Sequence, residues 1–291
     1  MGTGLNRSDG WREAKNSAHA LEVALAKVIE NNLSAANWVS QECFQELRGK
    51  PVSVVADGKK AKRVPAIIDK KTTGKIDIEV SWDDKKYSDS PSARLSLKKC
   101  LEGQAFLIGV ERFIAGFEAH YGAVIPASVK QSIRVFIGGD TKLISSLMAG
   151  KSYKGVIHRS GKLLEVHQKR ISGETLRQYF PSDWDEMLDW FDENVAAITD
   201  FVFARGLALE DRDVATHIWY HIDNKKTKQN EINAIYSISQ LIDEVSNDSE
   251  YVRRNNRDAK TVIAFPFGKL QMHQGQMQFR HDYNKVSPLC S

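Results

Sequence analysis

The sequence predicts an α/β (α+β) protein, built from amphipathic helices and half-buried strands. Residues 17–31 place apolar side chains at helical spacing, whereas residues 76–80 and 93–98 alternate apolar and polar side chains with the period of a strand. Residues 183–205 form the longest helical pattern, with Ser182 as the expected N-cap and acids concentrated in the first turns. Both kinds of element therefore belong to one chain.

The composition is that of a soluble globular protein. Of 291 residues, 42% are hydrophobic and 27% are charged. No apolar run reaches the length of about 18 residues that a membrane span requires. The three cysteines, Cys43, Cys100 and Cys290, show no CxxC spacing, which excludes a disulfide framework and a zinc cluster. We therefore expect a protein of the reducing cytoplasm, with no membrane association.

The remaining elements follow from the same patterns, taken in chain order. Residues 51–75 alternate short apolar runs with basic residues and turn formers, which indicates strands joined by basic turns. Residues 104–121 repeat apolar side chains at helical spacing, so that Gln104 and Glu111 would share one helix face. Further helices are predicted at 34–48, 126–137, 140–149 and 173–180, and strands or hairpins at 155–168, 214–222, 231–245 (running into a helix) and 261–281.

The charges are distributed unevenly along the chain. Residues 48–75 contain nine Lys or Arg against two Asp, whereas residues 183–213 contain ten Asp or Glu against two Arg. A basic surface suits a polyanion, because neutralising phosphates provides most of the non-specific affinity for nucleic acid. The alternative is a solvated Lys-rich loop, just as the acids of 183–213 are most simply a solvated face.

One group of residues has the chemistry of a metal-dependent hydrolase. Asp77 lies in the first alternating segment, Lys98 ends the second, and Glu111 follows on the predicted helix. Two strands and a helix can bring two carboxylates and an ammonium together. Mg²⁺ prefers oxygen ligands and takes one or two carboxylates in such sites, and it activates the water that attacks a phosphodiester. The alternative is an ordinary hairpin and helix whose polar faces meet solvent.

The spacing of these residues resembles the PD-(D/E)xK nuclease superfamily. Asp77, then Ser96-Leu97-Lys98, then twelve residues, then Glu111 is most similar to the type II restriction endonucleases that have an SxK variant of the motif, with the acid displaced to the following helix. The resemblance implies that Asp77 and Glu111 bind the metal, together with Leu97. It implies that Lys98 is the catalytic lysine and that Ser96 occupies the displaced acid position.

The same resemblance implies the architecture and the cofactor. We expect a restriction-endonuclease-like core, with a central mixed β-sheet flanked by helices and an additional DNA-recognition hairpin. The predicted organisation is a disordered leader at 1–10 and a single nuclease domain at 11–291, with a catalytic core at about 15–170 and recognition elements at about 210–291. One or two Mg²⁺ ions are expected per active site, and Mn²⁺ is expected to substitute.

Two further acids have alternative interpretations. Glu79 lies two residues after Asp77, where it is either a second ligand or a solvated strand residue. Glu22, on the first long helix, either matches an acid that some relatives direct at the site or faces solvent, and the solvent-facing position is favoured.

The C-terminal segment predicts a hairpin that reads DNA bases. If Gln274-Gly275 is a two-residue turn, His273 pairs with Gln276 and Gln271 with Gln278. Gln and Arg side chains form paired hydrogen bonds with adenine and guanine edges. The predicted DNA-binding residues are Gln104, Arg253, Asn255, Gln271, His273, Gln276, Gln278 and Arg280. Residues 253–257 are interpreted as a basic loop, with a soluble turn as the equal alternative.

Together these features predict a type II restriction endonuclease that cuts double-stranded DNA at a short sequence. A homodimer is expected, because a palindromic site matches a two-fold protein. A cognate DNA methyltransferase is expected as a genetic partner in a prokaryotic cytoplasm. The alternatives are a structure-selective repair or recombination nuclease and a DNA-binding protein without catalysis.

Overall fold

The computed structural model describes residues 7–57, 62–83, 91–138, 140–153, 170–222 and 231–290. The predicted hairpin at 155–168 lies outside these residues. Contacts group the chain into two compact units, which are described separately. Unit 1 comprises Met1–Lys99 and Leu207–Ile238, and unit 2 comprises Cys100–Gly206 and Ser239–Ser291.

Helices occur in both units. They are α1 (Arg7–Asn31), α2 (Leu33–Phe44), α3 (Val110–Tyr121), α4 (Ala127–Ile137), α5 (Thr141–Leu147), α6 (Gly173–Tyr179), α7 (Pro181–Glu193), α8 (Val195–Asp200), α9 (Ile238–Ser246), α10 (Tyr251–Asn256) and α11 (Tyr283–Leu289). A π-helical turn, Phe201–Arg205, follows α8, and a 3-10 turn covers Asp211–Asp213. In the described part of the chain, none of these helices combines the length and apolar character of a membrane span.

The strands lie in three sheets within the described residues. They are β1 (Ser53–Ala56), β2 (Arg63–Pro65), β3 (Lys71–Thr73), β4 (Ile78–Ser81), β5 (Ser92–Lys98), β6 (Glu102–Ile108), β7 (His217–Ile222), β8 (Ile232–Ser237), β9 (Val262–Phe265), β10 (Gly268–His273) and β11 (Gln276–Asp282). Unit 1 contains sheet I, in the order β1-β4-β5-β7-β8, and the small β2-β3 pair. Unit 2 contains sheet II, in the order β6-β11-β10-β9.

Sheet I is a mixed sheet. Its central strand β5 pairs antiparallel with β4 and parallel with β7, while β1-β4 and β7-β8 are antiparallel. A parallel neighbour requires a long crossover. Here the crossover between β5 and β7 includes Cys100–Gly206, the first of the two segments of unit 2. The predicted α/β class, with a mixed sheet flanked by helices, is confirmed.

The core of unit 1 explains why these residues form strands. Ile78 and Val80 on β4 and Leu95 on β5 alternate with polar residues and are fully buried. They pack with Ala26 and Ile29 of α1 and with Ala36 and Val39 of α2 in one hydrophobic cluster. The apolar face of sheet I therefore lies against two helices, and its strand ends are held rigidly.

Sheet II is antiparallel throughout, and its central pair is the predicted hairpin. Gln271 is opposite Gln278 and His273 is opposite Gln276, which confirms the predicted register. Gln274 and Gly275 both have positive φ, as a type I′ turn requires. Because β6 and β9 flank this pair, the hairpin forms the middle of a four-stranded sheet within the described residues.

Four local predictions differ from the structure. The pattern at 104–121 divides into strand β6 and helix α3, because Gly109 has an extended backbone and is the N-cap of α3. The N-cap of α7 is Phe180, followed by Pro181 at the first helical position, and is not Ser182. Residues 251–256 form helix α10 where a basic loop was expected. Helix α1 also begins at Arg7, ten residues before the expected start.

A side chain covers the outer edge of β9. Asn256, at the end of α10, donates to the carbonyl of Ala264 (3.0 Å) and accepts from its N–H (2.7 Å). The Asn256 amide thus occupies the place of a neighbouring strand. Asn256 is almost completely buried, and it also donates to the Val252 carbonyl (2.6 Å).

Candidate functional site

Asp77 and the Ser96-Leu97-Lys98 segment lie at the same end of the β4-β5 pair. The register Ile78–Leu95 places Asp77 one residue before β4, next to Ser96. The Asp77 N–H donates to the Leu95 carbonyl (2.9 Å), and the Leu97 N–H donates to Asp77 Oδ2 (2.6 Å). The carboxylate is therefore attached to the backbone of the segment that carries the lysine.

Lys98 is a buried ammonium with a defined partner. It is 9% exposed, and its Nζ donates to the Oγ of Ser96 (2.7 Å), which is 2% exposed. The two side chains share a strand face because they are two residues apart. Ser96 thus holds the predicted catalytic lysine in position, at the point in the motif where the resemblance places a displaced acid.

Leu97 could bind a metal only through its backbone carbonyl oxygen, because its side chain is apolar. Its side chain belongs to the hydrophobic core. Since the N–H and C=O of one strand residue point to the same neighbouring strand, the Leu97 carbonyl is directed toward Asp77, as its N–H is. The predicted contact of Leu97 with a metal would use this oxygen.

Asp57 is a carboxylate next to Asp77 that the sequence analysis did not identify. Strand β1 pairs with β4 through Ala56 and Ile78, and the Asp57 N–H donates to the Asp77 carbonyl (3.1 Å). Residues directly opposite in such a pair have Cβ atoms about 5 Å apart. In the sequence, Asp57 precedes a glycine and was interpreted as a turn former.

Glu22 is buried and does not face solvent, contrary to the favoured interpretation. It is 4% exposed on α1. Its Oε2 lies 3.0 Å from His19 Nδ1, and its Oε1 lies 3.6 Å from Lys99 Nζ. Glu22 raises the pKa of both Asp57 and Asp77, so its charge acts on the same site.

Burial is the main cause of the pKa shifts of Asp77, Asp57 and Lys75, and neighbouring like charges add to it. Burial raises the pKa of Asp77 to about 6; Lys98 opposes this shift, and the charges of Glu22 and Asp57 add to it. Burial also raises the pKa of Asp57, as does Glu22. The pKa of Lys75, two residues before Asp77, is lowered well below its ordinary value by burial and by Lys98. The surroundings therefore shift Asp77, Asp57 and Lys75 each toward its neutral form.

The oxygen atoms of this group are ligands that suit a hard divalent cation, but they do not surround a single point. Asp77, Asp57 and Glu22 supply carboxylate oxygens, which Mg²⁺ prefers, and Leu97 supplies a carbonyl. A cation would offset the effects of burial and of neighbouring charge that raise the pKa values of Asp77 and Asp57. Among the described residues, no three His, Cys, Asp or Glu side chains converge as a ready-made metal centre.

Glu111, the other predicted ligand, belongs to unit 2. It lies in the first turn of α3 and accepts two hydrogen bonds from the guanidinium of Arg134 on α4 (2.7 and 2.8 Å). That contact lowers the pKa of Glu111, and 69% of its side chain is exposed. The joining of Glu111 with Asp77 and Lys98 stays a prediction.

Glu79 is half-buried in the middle of β4, opposite Val55 of β1 and Arg94 of β5. Its two interpretations, as a ligand and as a strand residue, both stay open.

The basic segment at 48–75 is partly engaged within unit 1. The Arg48 guanidinium stacks on the Phe44 ring (4.7 Å) and pairs with Glu46 (3.0 Å). Lys62 pairs with Asp213 (3.3 Å), and Arg63 donates to the Lys71 carbonyl (2.9 Å). Residues 58–61, which include Lys59 and Lys60, lie outside the described residues. The predicted role in DNA binding stays a prediction.

The polar face of sheet II carries a row of glutamines. Gln271 Nε2 donates to Gln278 Oε1 (2.7 Å), and Gln278 Nε2 donates to Gln104 Oε1 (3.0 Å). Gln104 lies on β6, so it joins this face through the sheet and not through a helix. His273 and Gln276 form the last pair before the turn, and both are half-buried.

Two cations and an acid adjoin the glutamine row. Arg280 is opposite both Lys269 and Gln104, and its guanidinium donates to the Glu102 carbonyl (3.4 Å). Lys269 pairs with the Glu102 carboxylate (2.8 Å). Strand β6 therefore adds the acid Glu102 to the polar face.

Arg253 and Asn255 lie on α10. Arg253 donates to both carboxylate oxygens of Asp189 on α7 (2.5 and 2.7 Å), and Asn255 donates to the Tyr251 carbonyl (2.8 Å). Asp192 on α7 accepts from the N–H groups of Val252 and Arg253. The acids of α7 thus bind the first turn of α10, and a DNA contact by Arg253 would compete with Asp189.

Comparisons with known proteins give one structural likeness to report. No protein-family model matches the chain, and no curated protein matches it in sequence. The crystal structure of the restriction endonuclease MspI in complex with its cognate DNA is similar to 87% of this chain and 81% of that chain, with 11% sequence identity and a TM-score of 0.46. At this identity, the roles of residues depend on the side chains of this chain itself.

Proposed function

We propose that this protein is a Mg²⁺-dependent nuclease that hydrolyses phosphodiester bonds in double-stranded DNA. One observation carries the proposal: Asp77 and the buried Lys98 lie at the same end of two antiparallel strands, and the Asp77 carboxylate accepts a hydrogen bond from the segment that bears Lys98. A half-buried acid beside a buried ammonium, neither of which is needed to fill a core, favours catalysis over a structural role.

The chain's own residues supply three functions. Lys98 places a positive charge, fixed by Ser96, where a phosphate oxygen or the attacking water would be held. Asp77 supplies a carboxylate whose pKa the charge of Lys98 lowers, and it is held in orientation by the Leu97 N–H. The hydrophobic core beneath the strands keeps these groups from rearranging. A bound divalent cation would lower the pKa of the attacking water and offset charge on the phosphate.

The second carboxylate has four candidates, one of which is Glu79 on β4. Glu111 is the ligand that the motif spacing predicts, and in unit 2 its charge is already paired with Arg134. Glu22 and Asp57 belong to unit 1, and their charges raise the pKa of Asp77. We propose Asp77 as the common ligand, and we expect single substitutions to identify its partner.

The finer proposal is a type II restriction endonuclease. Sheet II would supply sequence recognition, since its polar face consists largely of amides, which pair with base edges. A homodimer in a prokaryotic cytoplasm, with a cognate DNA methyltransferase encoded as a separate protein, is the corresponding biological setting.

Cleavage of long duplex DNA tests both levels of the proposal. Purified protein is incubated with Mg²⁺, with Mn²⁺ or with EDTA, and with duplex and branched DNA. Discrete Mg²⁺-dependent fragments from duplex DNA would support the restriction activity. Cuts confined to branched DNA would instead indicate a repair or recombination nuclease, and a mobility shift without cleavage would contradict catalysis altogether.

Matched substitutions locate the ligands. Asp77→Asn should abolish cleavage while keeping the hydrogen bond from the Leu97 N–H. Glu22→Gln, Asp57→Asn and Glu111→Gln are compared with Glu30→Gln, an exposed acid on the same helix as Glu22. The partner of Asp77 is the acid whose substitution weakens Mg²⁺ binding. The measurement is the Mg²⁺ concentration that gives a half-maximal rate, which should rise. Unchanged cleavage by Asp77→Asn would exclude this site.

A further inference from the structure

The glutamine row of sheet II has an internal order. Gln271, Gln278 and Gln104 lie on the three neighbouring strands β10, β11 and β6, and their amides form a continuous chain of two hydrogen bonds, 2.7 and 3.0 Å long. We call this chain the glutamine relay.

Gln278 is the buried centre of the relay. It is 7% exposed, and both of its amide atoms are used: the oxygen accepts from Gln271 and the nitrogen donates to Gln104. Because Gln278 is almost completely buried and each end of its amide is bonded to a neighbouring glutamine, it is poorly placed to contact a base. Its role is therefore different from that of Gln104, which is exposed, and of Gln271, which is half-buried.

The relay has a direction, because each amide has one donor end and one acceptor end. Its bonds use the oxygen of Gln104 and the nitrogen of Gln271. Gln104 is left to present its Nε2 donor away from the relay, and Gln271 is left to present its Oε1 acceptor. Turning the Gln104 amide over would place its nitrogen against the nitrogen of Gln278 and break a hydrogen bond, so the relay selects one orientation.

We propose that the glutamine relay sets the base specificity of this protein, with Gln104 and Gln271 as its DNA-contacting ends and Gln278 as a positioning residue. This inference rests on the proposed function, in that sheet II must meet duplex DNA. Gln104 would recognise an acceptor edge, such as guanine O6 or N7, and Gln271 would recognise a donor edge, such as the amino group of cytosine or adenine.

The spacing of the strands gives the expected distance between the two contacts. Neighbouring strands are about 4.8 Å apart, and Gln104 is opposite Arg280, two residues along β11 from Gln278, so the two ends of the relay are separated by about 12 Å. Base pairs follow one another at about 3.4 Å, so the two contacts should fall about three to four base pairs apart. Arg280, opposite Gln104 in the register, adds a cation beside the donor end.

The test uses selection from a randomised duplex library. Protein carrying Asp77→Asn, which should bind without cutting, is compared with the same protein carrying Gln278→Leu, Gln278→Glu, Gln104→Ala or Gln271→Ala. Gln178→Leu, an exposed glutamine on α6, is the matched control. Circular dichroism and the thermal midpoint establish that each variant is folded.

Gln278→Leu should lower the base preference about three- to tenfold at each of two positions of the DNA site. One is the position at which Gln104→Ala loses its preference, and the other is the position at which Gln271→Ala loses it. Gln278→Glu is the sharper variant. At mildly alkaline pH its carboxylate accepts from both neighbours, so Gln104 turns its Nε2 inward and presents its oxygen. The preferred base at the Gln104 position should then change from one with an acceptor edge to one with a donor edge. A structural role alone would not produce this reversal.

A second measurement needs no DNA. In a ¹H–¹⁵N spectrum, the side-chain NH₂ signals of Gln104 and Gln271, assigned from their alanine variants, should both move in Gln278→Leu and stay in place in Gln178→Leu. Stationary signals would contradict the relay itself.

The remaining outcomes separate this inference from the proposed function. Duplex DNA cut at discrete sites, with the same preference in Gln278→Leu, would overturn the relay and leave the nuclease intact. Wild-type protein that neither cuts nor binds duplex DNA would overturn both.

Discussion

The two sheets differ in what they bury on their polar sides. Sheet I places ionisable groups in low-dielectric surroundings: Lys98 is buried on β5, where it donates to the buried Ser96, and Glu22 is buried on the adjacent α1. Sheet II presents neutral amides that bond to one another, over a core of aromatic rings. Buried charge is unfavourable for stability and useful for chemistry, whereas amides tolerate partial burial and discriminate between partners. The difference suggests a division between cutting and recognition.

The largest effect on stability is expected under the polar face of sheet II. Phe279 is fully buried between Phe113 and Phe265, with ring centroids at 5.8 and 6.1 Å. Phe279→Ala should lower the free energy of unfolding by about 3–5 kcal/mol, because it removes a ring and leaves a cavity. Urea denaturation measures this. Gln178→Ala, at an exposed position on α6, should change the same quantity by about 0.5 kcal/mol or less.

The largest effect on catalysis is expected in sheet I. Lys98→Met keeps the length of the side chain and removes the charge, and it should reduce the cleavage rate at saturating DNA by roughly 100- to 1000-fold. Lys71→Met, at an exposed lysine on β3, should leave the rate unchanged. Equal rates for Lys98→Met and wild type would remove the proposed distinction between the sheets.

The buried acid of sheet I should make stability depend on pH. Burial holds the folded-state pKa of Asp77 at about 6, above its ordinary 3.8. Between these values the folded state binds more protons than the unfolded state, so the Asp77 contribution to stability falls as pH rises through the window. Asp77→Asn should therefore be more stable than wild type at neutral pH without Mg²⁺, by roughly 1–3 kcal/mol.

The measurement is the difference in the free energy of unfolding between Asp77→Asn and wild type, taken at several pH values. It should shrink toward zero below the window, where Asp77 is protonated in both states. Added Mg²⁺ should reduce it at neutral pH by stabilising wild type alone. A difference that does not vary with pH would show that Asp77 is not the group responsible.

The smallest effect is expected at Glu111. Its ion pair with Arg134 is exposed, with 69% of the Glu111 side chain and 31% of the Arg134 side chain accessible. Exposed pairs contribute about 0.2–1 kcal/mol, so Glu111→Gln should barely change the urea midpoint. If cleavage nevertheless falls at least tenfold, Glu111 acts in the site and not in folding. Unchanged cleavage would restrict the carboxylates to Glu22, Asp57, Asp77 and Glu79.

The sequence was sufficient for features that depend on neighbours along the chain. Period-two alternation located β4 and β5 and so placed Asp77 beside Ser96 and Lys98, and the Gln274-Gly275 turn set the register of the hairpin. In each case, one turn or one strand face determines the geometry. Such local signals are read directly from residue spacing.

The sequence was insufficient where distant segments meet. Asp57 resembles a turn residue until β1 is seen to pair with β4, and Glu22 resembles a surface residue until α1 packs on sheet I. Gln104 was assigned to a helix because Phe106, Ile108 and Val110 continue into the apolar pattern of α3. The extended backbone at Gly109, which separates strand from helix, has no periodic signature.

The two hydrogen bonds between Asn256 and Ala264 also affect how the protein behaves in a crowded solution. An open edge strand offers N–H and C=O groups to which another chain can add, and this is a common route to aggregation. Asn256 occupies both groups of Ala264 on β9 and is itself buried. A second molecule could extend sheet II at this edge only by first pulling an inward-facing amide out of the protein. Self-association by strand addition is therefore disfavoured at the edge of the sheet to which we assign DNA recognition.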